Sequence, residues 1–117
     1  MKSYIPARSD IVWLHFDPSA GKEIKGHHMA LVVSHAILNE KTGRAIVCPM
    51  TSKIKKGRPL DVILPESITG KICAIVPDQV KSIDYIERQT EYVTKCPITY
   101  LDKVIKVIFI CIGGNKL

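Results

Sequence analysis

A short stretch near the start of the chain concentrates side chains that could do chemistry. It carries two ammonium groups, a carboxylate and two imidazoles: Lys22, Glu23, Lys25, His27 and His28. Lysines can hold a phosphate, while carboxylate and imidazole groups can move protons, so this set could bind an anion and catalyse acid–base chemistry on it. The alternative interpretation is a solvated loop, because most charge-rich turns between strands do no chemistry.

The segments on either side of this stretch are predicted to be strands. Residues 11–16 are rich in strand-forming types, residues 17–21 have the composition of a turn, and residues 29–33 are an apolar run with β-branched members. The charged residues therefore lie in a loop held at both ends by strands. Trp13, on the first strand, is predicted to be a core residue rather than a stacking platform for nucleic-acid bases.

Length and composition indicate a single domain spanning residues 1–117. A chain of 117 residues has room for one hydrophobic core, and its 46% hydrophobic content excludes a disordered protein. A net charge of +6 and a pI near 9.2 favour an anionic partner, most often nucleic acid.

The cysteines and histidines do not have the spacing of a metal site. No two of the cysteines at 48, 73, 96 and 111 form a Cys-x-x-Cys pair, and their neighbours are apolar, so we expect small core residues in a reducing compartment. No metal and no other cofactor is predicted. The N-terminus lacks the apolar stretch of a signal peptide, and no segment approaches the roughly 20 apolar residues of a membrane span. We therefore expect a cytoplasmic protein without membrane attachment.

Further short strands are predicted along the rest of the chain. They cover residues 44–48, ending at Pro49, then 60–64, 71–76 and 80–83, with turns at 39–43 and 65–70. The segment 53–59 is predicted to be a mobile basic loop. It carries four cations that could follow a phosphate backbone or could simply be solvated: Lys53, Lys55, Lys56 and Arg58.

The last predicted element is a helix that begins after Pro97. Its apolar residues recur near one helical face, its polar residues Asp102, Lys103 and Lys106 lie opposite, and Gly113 and Gly114 would end it. A buried strand over residues 107–112 is the alternative, because that run is rich in β-branched residues. The resulting fold class is mainly β with a C-terminal helix, a small barrel of the SH3-like kind.

Short motifs along nearly the whole chain carry a resemblance to a known family. They are Tyr4-Ile5-Pro6, Asp10-Ile11-Val12-Trp13, Phe16-Asp17-Pro18, Gly21-Lys22-Glu23, Gly26-His27, Ala30-Leu31-Val32-Val33-Ser34, Asn39, Lys41-Thr42-Gly43, Cys48-Pro49-Met50-Thr51-Ser52, Gly57, Asp78-Gln79-Val80-Lys81-Ser82-Ile83, Arg88 and Pro97. In this order and at this spacing, the chain resembles the MazF/PemK family of toxin endoribonucleases from bacterial toxin–antitoxin pairs.

The resemblance implies a fold, a reaction and two protein partners. Members of the family are homodimeric SH3-like barrels that cut single-stranded RNA at short sequences without a metal. The ribose 2′-hydroxyl is the nucleophile, and the products carry a 2′,3′-cyclic phosphate and a 5′-hydroxyl. The other partner implied is an acidic antitoxin of the MazE/PemI type, whose extended tail lies over the RNA groove.

The resemblance also assigns roles to residues. The family threonine falls on Thr51, whose hydroxyl can hydrogen-bond the scissile phosphate, and the loop carboxylate falls on Glu23. The expected base-reading positions fall on Asp78 and Gln79. Other residues expected to contact RNA are His27, Ser52, Lys53, Lys56, Lys81 and Arg88.

One position departs from the family pattern. Where the family usually has Gly-His-Arg-Pro, this chain has Gly26-His27-His28-Met29, so His28 replaces the expected catalytic arginine. An imidazole lacks the permanent charge and planar fork of a guanidinium, although it suits proton transfer. The change is compatible with altered, weakened or lost catalysis.

Two other classes of protein therefore compete with the ribonuclease. The first is a catalytically silent paralogue that binds RNA or antitoxin. The second is a structural RNA-binding barrel, such as a ribosomal protein, which would carry long tails and basic residues on several faces, and this sequence has neither.

Overall fold

The structure is a computed structural model that describes residues 4–114. Within this range the chain forms seven strands, three helices and one 3-10 turn. The strands are β1 (Asp10–His15), β2 (His27–Val32), β3 (Arg44–Thr51), β4 (Val62–Leu64), β5 (Cys73–Ile75), β6 (Lys81–Asp84) and β7 (Glu91–Lys95). The helices are α1 (Ala36–Thr42), α2 (Glu66–Thr69) and α3 (Ile98–Cys111), and the 3-10 turn is Pro77–Gln79.

The strands form one antiparallel sheet that curls around β3. Their order is β4-β5-β3-β2-β1-β7, and β6 also pairs with β3. Residues 44–47 of β3 pair with β6, whereas Met50 and Thr51 pair with β5. Pro49 lies between these two partners, where its missing N–H breaks no ladder, and its carbonyl accepts a bond from the Val76 amide at 2.9 Å. The predicted end of this strand at Pro49 is therefore wrong, and β3 continues as far as Thr51.

Both faces of the central strands are buried. Along β1, Ile11 packs into a cluster with Leu101 and Val104 of α3, while Val12 and Leu14 point to the opposite face and pack with Phe16. This alternation follows from the two-residue period of a strand. The predicted fold class, mainly β with a C-terminal helix, is confirmed: α3 covers one face of the central strands, and the sheet curls over the other face as a half-barrel.

The C-terminal helix prediction is confirmed. Pro97 precedes α3, and Gly113 follows it with a φ of 86°, which glycine adopts without a Cβ clash. Leu101 and Val104 are buried, and Ile108 packs beside them. The alternative strand over residues 107–112 is wrong, because α3 continues as far as Cys111, and within this run Ile108 packs against the core.

Several local predictions need correction. The predicted turns at 39–43 and 65–70 contain the short helices α1 and α2, and α1 was missed because Ile37 and Leu38 are exposed and give no amphipathic pattern. Strand β7 was missed because its side chains are largely polar. Cys48, Cys73 and Cys96 are buried as expected, but Cys111 is exposed.

Candidate active site

The loop that joins β1 and β2 is closed at its base and attached to a distant turn. The Phe16 amide donates to the Gly26 carbonyl at 2.8 Å, and the Gly26 amide donates to Asp17 Oδ1 at 3.2 Å. At the far side, the Ile24 amide donates to Gln79 Oε1 at 2.8 Å. Glu23, next to this contact, accepts from the Ala20 amide at 2.6 Å. The exposed carboxylate of Glu23 is thus held by its own loop.

A cleft of about 490 Å³ opens between this loop and the end of β3, and we call it the Thr51 cleft. Its wall consists of Lys22, Glu23, Ile24, Thr51, Lys53, Lys55, Arg58, Asp61, Val76 and Gln79. The Thr51 hydroxyl accepts from the Lys53 amide at 3.1 Å, so its proton remains available to a ligand. The structure therefore brings Glu23, Thr51, Lys53 and Gln79 together as a set.

A smaller pocket of about 240 Å³ lies on the other side of Glu23 and Gln79, and we call it the Lys81 pocket. Asp78 and Lys81 are in its wall, and Lys81 Nζ lies 5.9 Å from the centre of the Phe16 ring. Because Glu23 and Gln79 border both spaces, the Thr51 cleft and the Lys81 pocket form one continuous polar surface.

His28 lies beside these spaces and lines neither of them. Its Nδ1 is 3.2 Å from the Met50 carbonyl oxygen, and its ring meets the edge of Phe16 with centres 6.4 Å apart. When Nδ1 donates to that carbonyl, Nε2 is the ring atom left for other chemistry. The half-buried imidazole is therefore attached to β3 next to Thr51.

His27 occupies the opposite face of β2, because successive residues of a strand point in opposite directions. Its ring stacks on His15 with centres 4.4 Å apart and tilts against Trp13 at 4.9 Å. Trp13 is 36% exposed, so the prediction that it belongs to the core is wrong. The structure does not bring His27 to the Thr51 cleft.

The basic loop after β3 contains two kinds of cation. Lys53 and Lys55 line the Thr51 cleft, while Ser52 and Lys56 are exposed outside its wall. Arg58, in contrast, forms ion pairs with Asp61 at 3.2 Å and Asp78 at 2.7 Å. Its hydrogen bond to Asp61 is the main cause that raises the pKa of the guanidinium. Arg58 is thus fixed rather than simply solvated.

Arg88 forms hydrogen bonds to the backbone at the start of the loop that joins β1 and β2. Its Nη1 donates to the His15 carbonyl at 3.4 Å and also to the Asp17 carbonyl. It lines neither the Thr51 cleft nor the Lys81 pocket.

The sequence patterns predicted most of this surface but did not indicate Asp61 or the ion pairs of Arg58. The available signal was the three-residue spacing of Arg58 and Asp61, which suits an ion pair within one turn. Among residues 4–114, no group of three or more histidine, cysteine, aspartate or glutamate residues could hold a metal ion. The helices of the same range include none long and apolar enough to cross a membrane.

The curled sheet with its C-terminal helix is the fold of solved MazF structures. MazF from Deinococcus radiodurans superposes with a TM-score of 0.88 at 35% sequence identity, covering 95% of this chain and 99% of that one. A MazE–MazF crystal structure from the same organism gives 0.83 at 34% identity, covering 97% and 100%. The fold is therefore that of the MazF-type half-barrels.

The sequence relationship is equally direct. Over 85 residues the chain is 38% identical to the endoribonuclease toxin MazF of Escherichia coli strain K12, covering 73% of this chain and 74% of that protein. Residues 7–111 match the family described as PemK-like, MazF-like toxin of type II toxin-antitoxin system. The chain belongs to this family, as its motifs predicted.

Proposed function

We propose that this protein is a metal-independent, sequence-specific endoribonuclease that acts as the toxin of a toxin–antitoxin pair. Its substrate would be single-stranded RNA, including mRNA. The observation that carries the proposal is the Thr51 cleft, where a hydroxyl and a carboxylate lie among lysines. The relative from Escherichia coli is named an endoribonuclease toxin, which supports the same activity here.

The reaction proposed is an internal transphosphorylation. The 2′-hydroxyl attacks the adjacent phosphorus, the bond from phosphorus to O5′ breaks, and a cyclic phosphate and a 5′-hydroxyl result. Glu23 takes the proton of the 2′-hydroxyl, and the Thr51 hydroxyl donates to a phosphate oxygen. His28 is the side-chain donor proposed for the proton that O5′ acquires: as the doubly protonated imidazolium it gives up the Nε2 proton and keeps the Nδ1 proton on the Met50 carbonyl. Atoms and charge balance without a metal or an oxidant.

The rest of the polar surface is proposed to bind the RNA strand. Lys53, Lys56 and Lys81 contact the phosphate backbone, which makes binding depend on salt. Gln79 uses its oxygen on Ile24, so its amide N–H groups remain for a base. Asp78 uses Oδ1 on Arg58, which leaves Oδ2 as an acceptor. Ser52 would flank this path, whereas the predicted RNA contacts of His27 and Arg88 would require RNA that extends beyond the two spaces.

Two protein partners are part of the proposal. A homodimer is supported by the apolar side chains that α3 and its end expose, namely Ile98, Phe109 and Ile112. An acidic antitoxin of the MazE type is supported by the basic surface and by the MazE–MazF complex of the Deinococcus radiodurans relative. We propose that the homodimer and the antitoxin both reside in the cytoplasm.

The test is incubation of the purified protein with a long single-stranded RNA in EDTA. We expect discrete cleavage with 2′,3′-cyclic phosphate and 5′-hydroxyl ends. Thr51→Val is the matched control, because it keeps the branched shape and removes only the hydroxyl. A strict need for magnesium, or 3′-hydroxyl ends, would contradict the proposed reaction.

One observation favours a second candidate, the silent paralogue. The position of the family arginine holds an imidazole that faces the Met50 carbonyl. If the wild-type protein binds RNA or a MazE-type peptide yet leaves the RNA intact, the protein is a catalytically silent paralogue whose function is binding.

A further inference from the structure

Arg58 is held by one edge of its guanidinium group. Nη2 donates to Asp61 Oδ1 at 3.2 Å and to Asp78 Oδ1 at 2.7 Å, and Nε donates to Asp61 Oδ2 at 3.4 Å. A guanidinium has five N–H groups, so these bonds use those on Nε and Nη2. Nη1, with two N–H groups, has no acceptor among residues 4–114. The two aspartates therefore hold the guanidinium in place, while the two N–H groups of Nη1 remain available to a ligand.

Arg58 lines the Thr51 cleft together with Thr51 and Glu23. Four cations and two carboxylates line the cleft, so its charge favours a phosphate. Among those cations, Arg58 alone is an arginine, so its charge is permanent, and the two N–H groups of Nη1 remain as donors to phosphate oxygens.

We propose that Arg58 is the phosphate-binding guanidinium of the Thr51 cleft and that Asp61 is its positioning residue. This inference rests on the proposed function and deepens it. Through Nη1, Arg58 donates to the non-bridging oxygens of the scissile phosphate and stabilises the charge that grows on them during attack. It thereby supplies, from the basic loop, the permanent charge that His28 does not have.

The burial of Asp61 is consistent with its positioning role. Its side chain is 8% exposed, whereas the side chains of Arg58 and Asp78 are 35% and 37% exposed. A well-buried carboxylate with two contacts to one guanidinium restricts how that guanidinium can rotate. Asp61 does not need to touch the RNA for this purpose.

The test compares Arg58→Lys, Arg58→Ala and Asp61→Asn with Arg44→Lys, a control on the exposed start of β3. Each variant is first checked for native circular dichroism and thermal midpoint. Arg58→Ala should lower kcat by about 10²-fold, the usual effect of removing one transition-state donor. Arg58→Lys keeps the charge but loses the Nη1 donors that Asp61 and Asp78 hold in place, so most of this reduction should persist, and binding of an uncleavable substrate analogue should weaken as well. Asp61→Asn should lower kcat less, and Asp61→Glu should restore part of that reduction.

Binding of a 2′-deoxy oligonucleotide, which cannot be cleaved by this reaction, separates the inference from the proposed function. If the wild type cleaves and Arg58→Lys cleaves equally well, the Arg58 inference is wrong and the nuclease stands. If the wild type binds without cleaving, weaker binding by Arg58→Lys than by Arg44→Lys supports Arg58 as the phosphate ligand, and equal binding overturns it. If the wild type neither cleaves nor binds, both proposals fail.

Discussion

The backbone amide of Ile24 donates to Gln79 Oε1 at 2.8 Å, which joins two segments 55 residues apart in the sequence. Through this bond, the loop that carries Glu23 is attached to the 3-10 turn that carries Asp78 and Gln79. The Thr51 cleft and the Lys81 pocket share a wall at this point. This side-chain contact therefore holds the outer part of the Glu23 loop against the 3-10 turn, in addition to the bonds that close the base of the loop.

Gln79→Leu should loosen this loop. The substitution removes the acceptor for the Ile24 amide, and removing a hydrogen bond of this kind costs about 1 kcal/mol. We expect faster amide hydrogen exchange across residues 17–26 and a lower kcat for RNA cleavage. Gln79→Glu is the matched control, because its carboxylate still accepts from Ile24. Equal exchange rates in wild type and Gln79→Leu would show that the contact does not hold the loop.

Lys53 and Lys56 of the basic loop should contribute to RNA binding through their charge. Replacing Lys53 and Lys56 with alanine should weaken binding to all single-stranded sequences. For each phosphate that the variant no longer neutralises, the slope of log K against log salt should become shallower by about 0.7. Titrations at several salt concentrations measure this slope, with Lys41→Ala on α1 as the control. A slope unchanged from wild type would mean that these two lysines are only solvated.

The buried thiols should make the fold sensitive to alkali. Burial raises the pKa of Cys48 from its ordinary value of 9.0 to about 12, with a smaller contribution from Asp78, and burial raises the pKa of Cys96 to about 11. The unfolded chain therefore loses these protons at lower pH than the folded chain. Their contribution to stability is complete below about pH 9 and is lost as the pH rises towards 11 and 12.

Urea unfolding at pH 8, 9.5 and 10.5 measures this effect. The free energy of unfolding should fall over this range, and Cys48→Ala should flatten the fall although its stability at pH 8 is lower. Cys111→Ser, at an exposed position, should leave the pH dependence unchanged. A Cys48→Ala variant with the same pH dependence as wild type would contradict this account.

The sequence predicted the two strands around Glu23 because these depend on local patterns, whereas Thr51 was expected after a strand that ended at Pro49 and in fact lies within β3. It could not predict the role of Arg58, since the bond to Asp78 spans 20 residues and forms only when the basic loop folds back on the 3-10 turn. Trp13 was misassigned for a related reason. Ile11 and Trp13 lie on the same face of β1, but α3 covers this face at Ile11 and leaves Trp13 partly exposed. The alternation of residues along a strand cannot show how far such a cover extends.

Substitutions of His28 test whether a guanidinium at position 28 could serve the same phosphate as Arg58. The His28 ring reaches the Met50 carbonyl, whereas an arginine there would extend several bonds further and could add donors near the end of β3. His28→Arg removes the imidazole as a proton donor but adds a permanent charge beside the phosphate. Because stabilising the growing charge is usually the larger of these two effects, His28→Arg should raise cleavage above that of the wild type. Combined with Arg58→Ala, it should restore at least about tenfold of the missing activity, because a second guanidinium can stabilise the same growing charge. His28→Ala should keep the fold and lower cleavage if Nε2 is the proton donor.

Single-turnover rates measure the coupling between the two positions. The four proteins compared are the wild type, His28→Arg, Arg58→Ala and the double variant that carries both substitutions. If the two side chains serve the same phosphate, the effect of Arg58→Ala should be smaller when His28→Arg is present, since the remaining guanidinium still stabilises the charge. Independent effects, with no rescue by His28→Arg, would show that the two side chains do not serve the same phosphate.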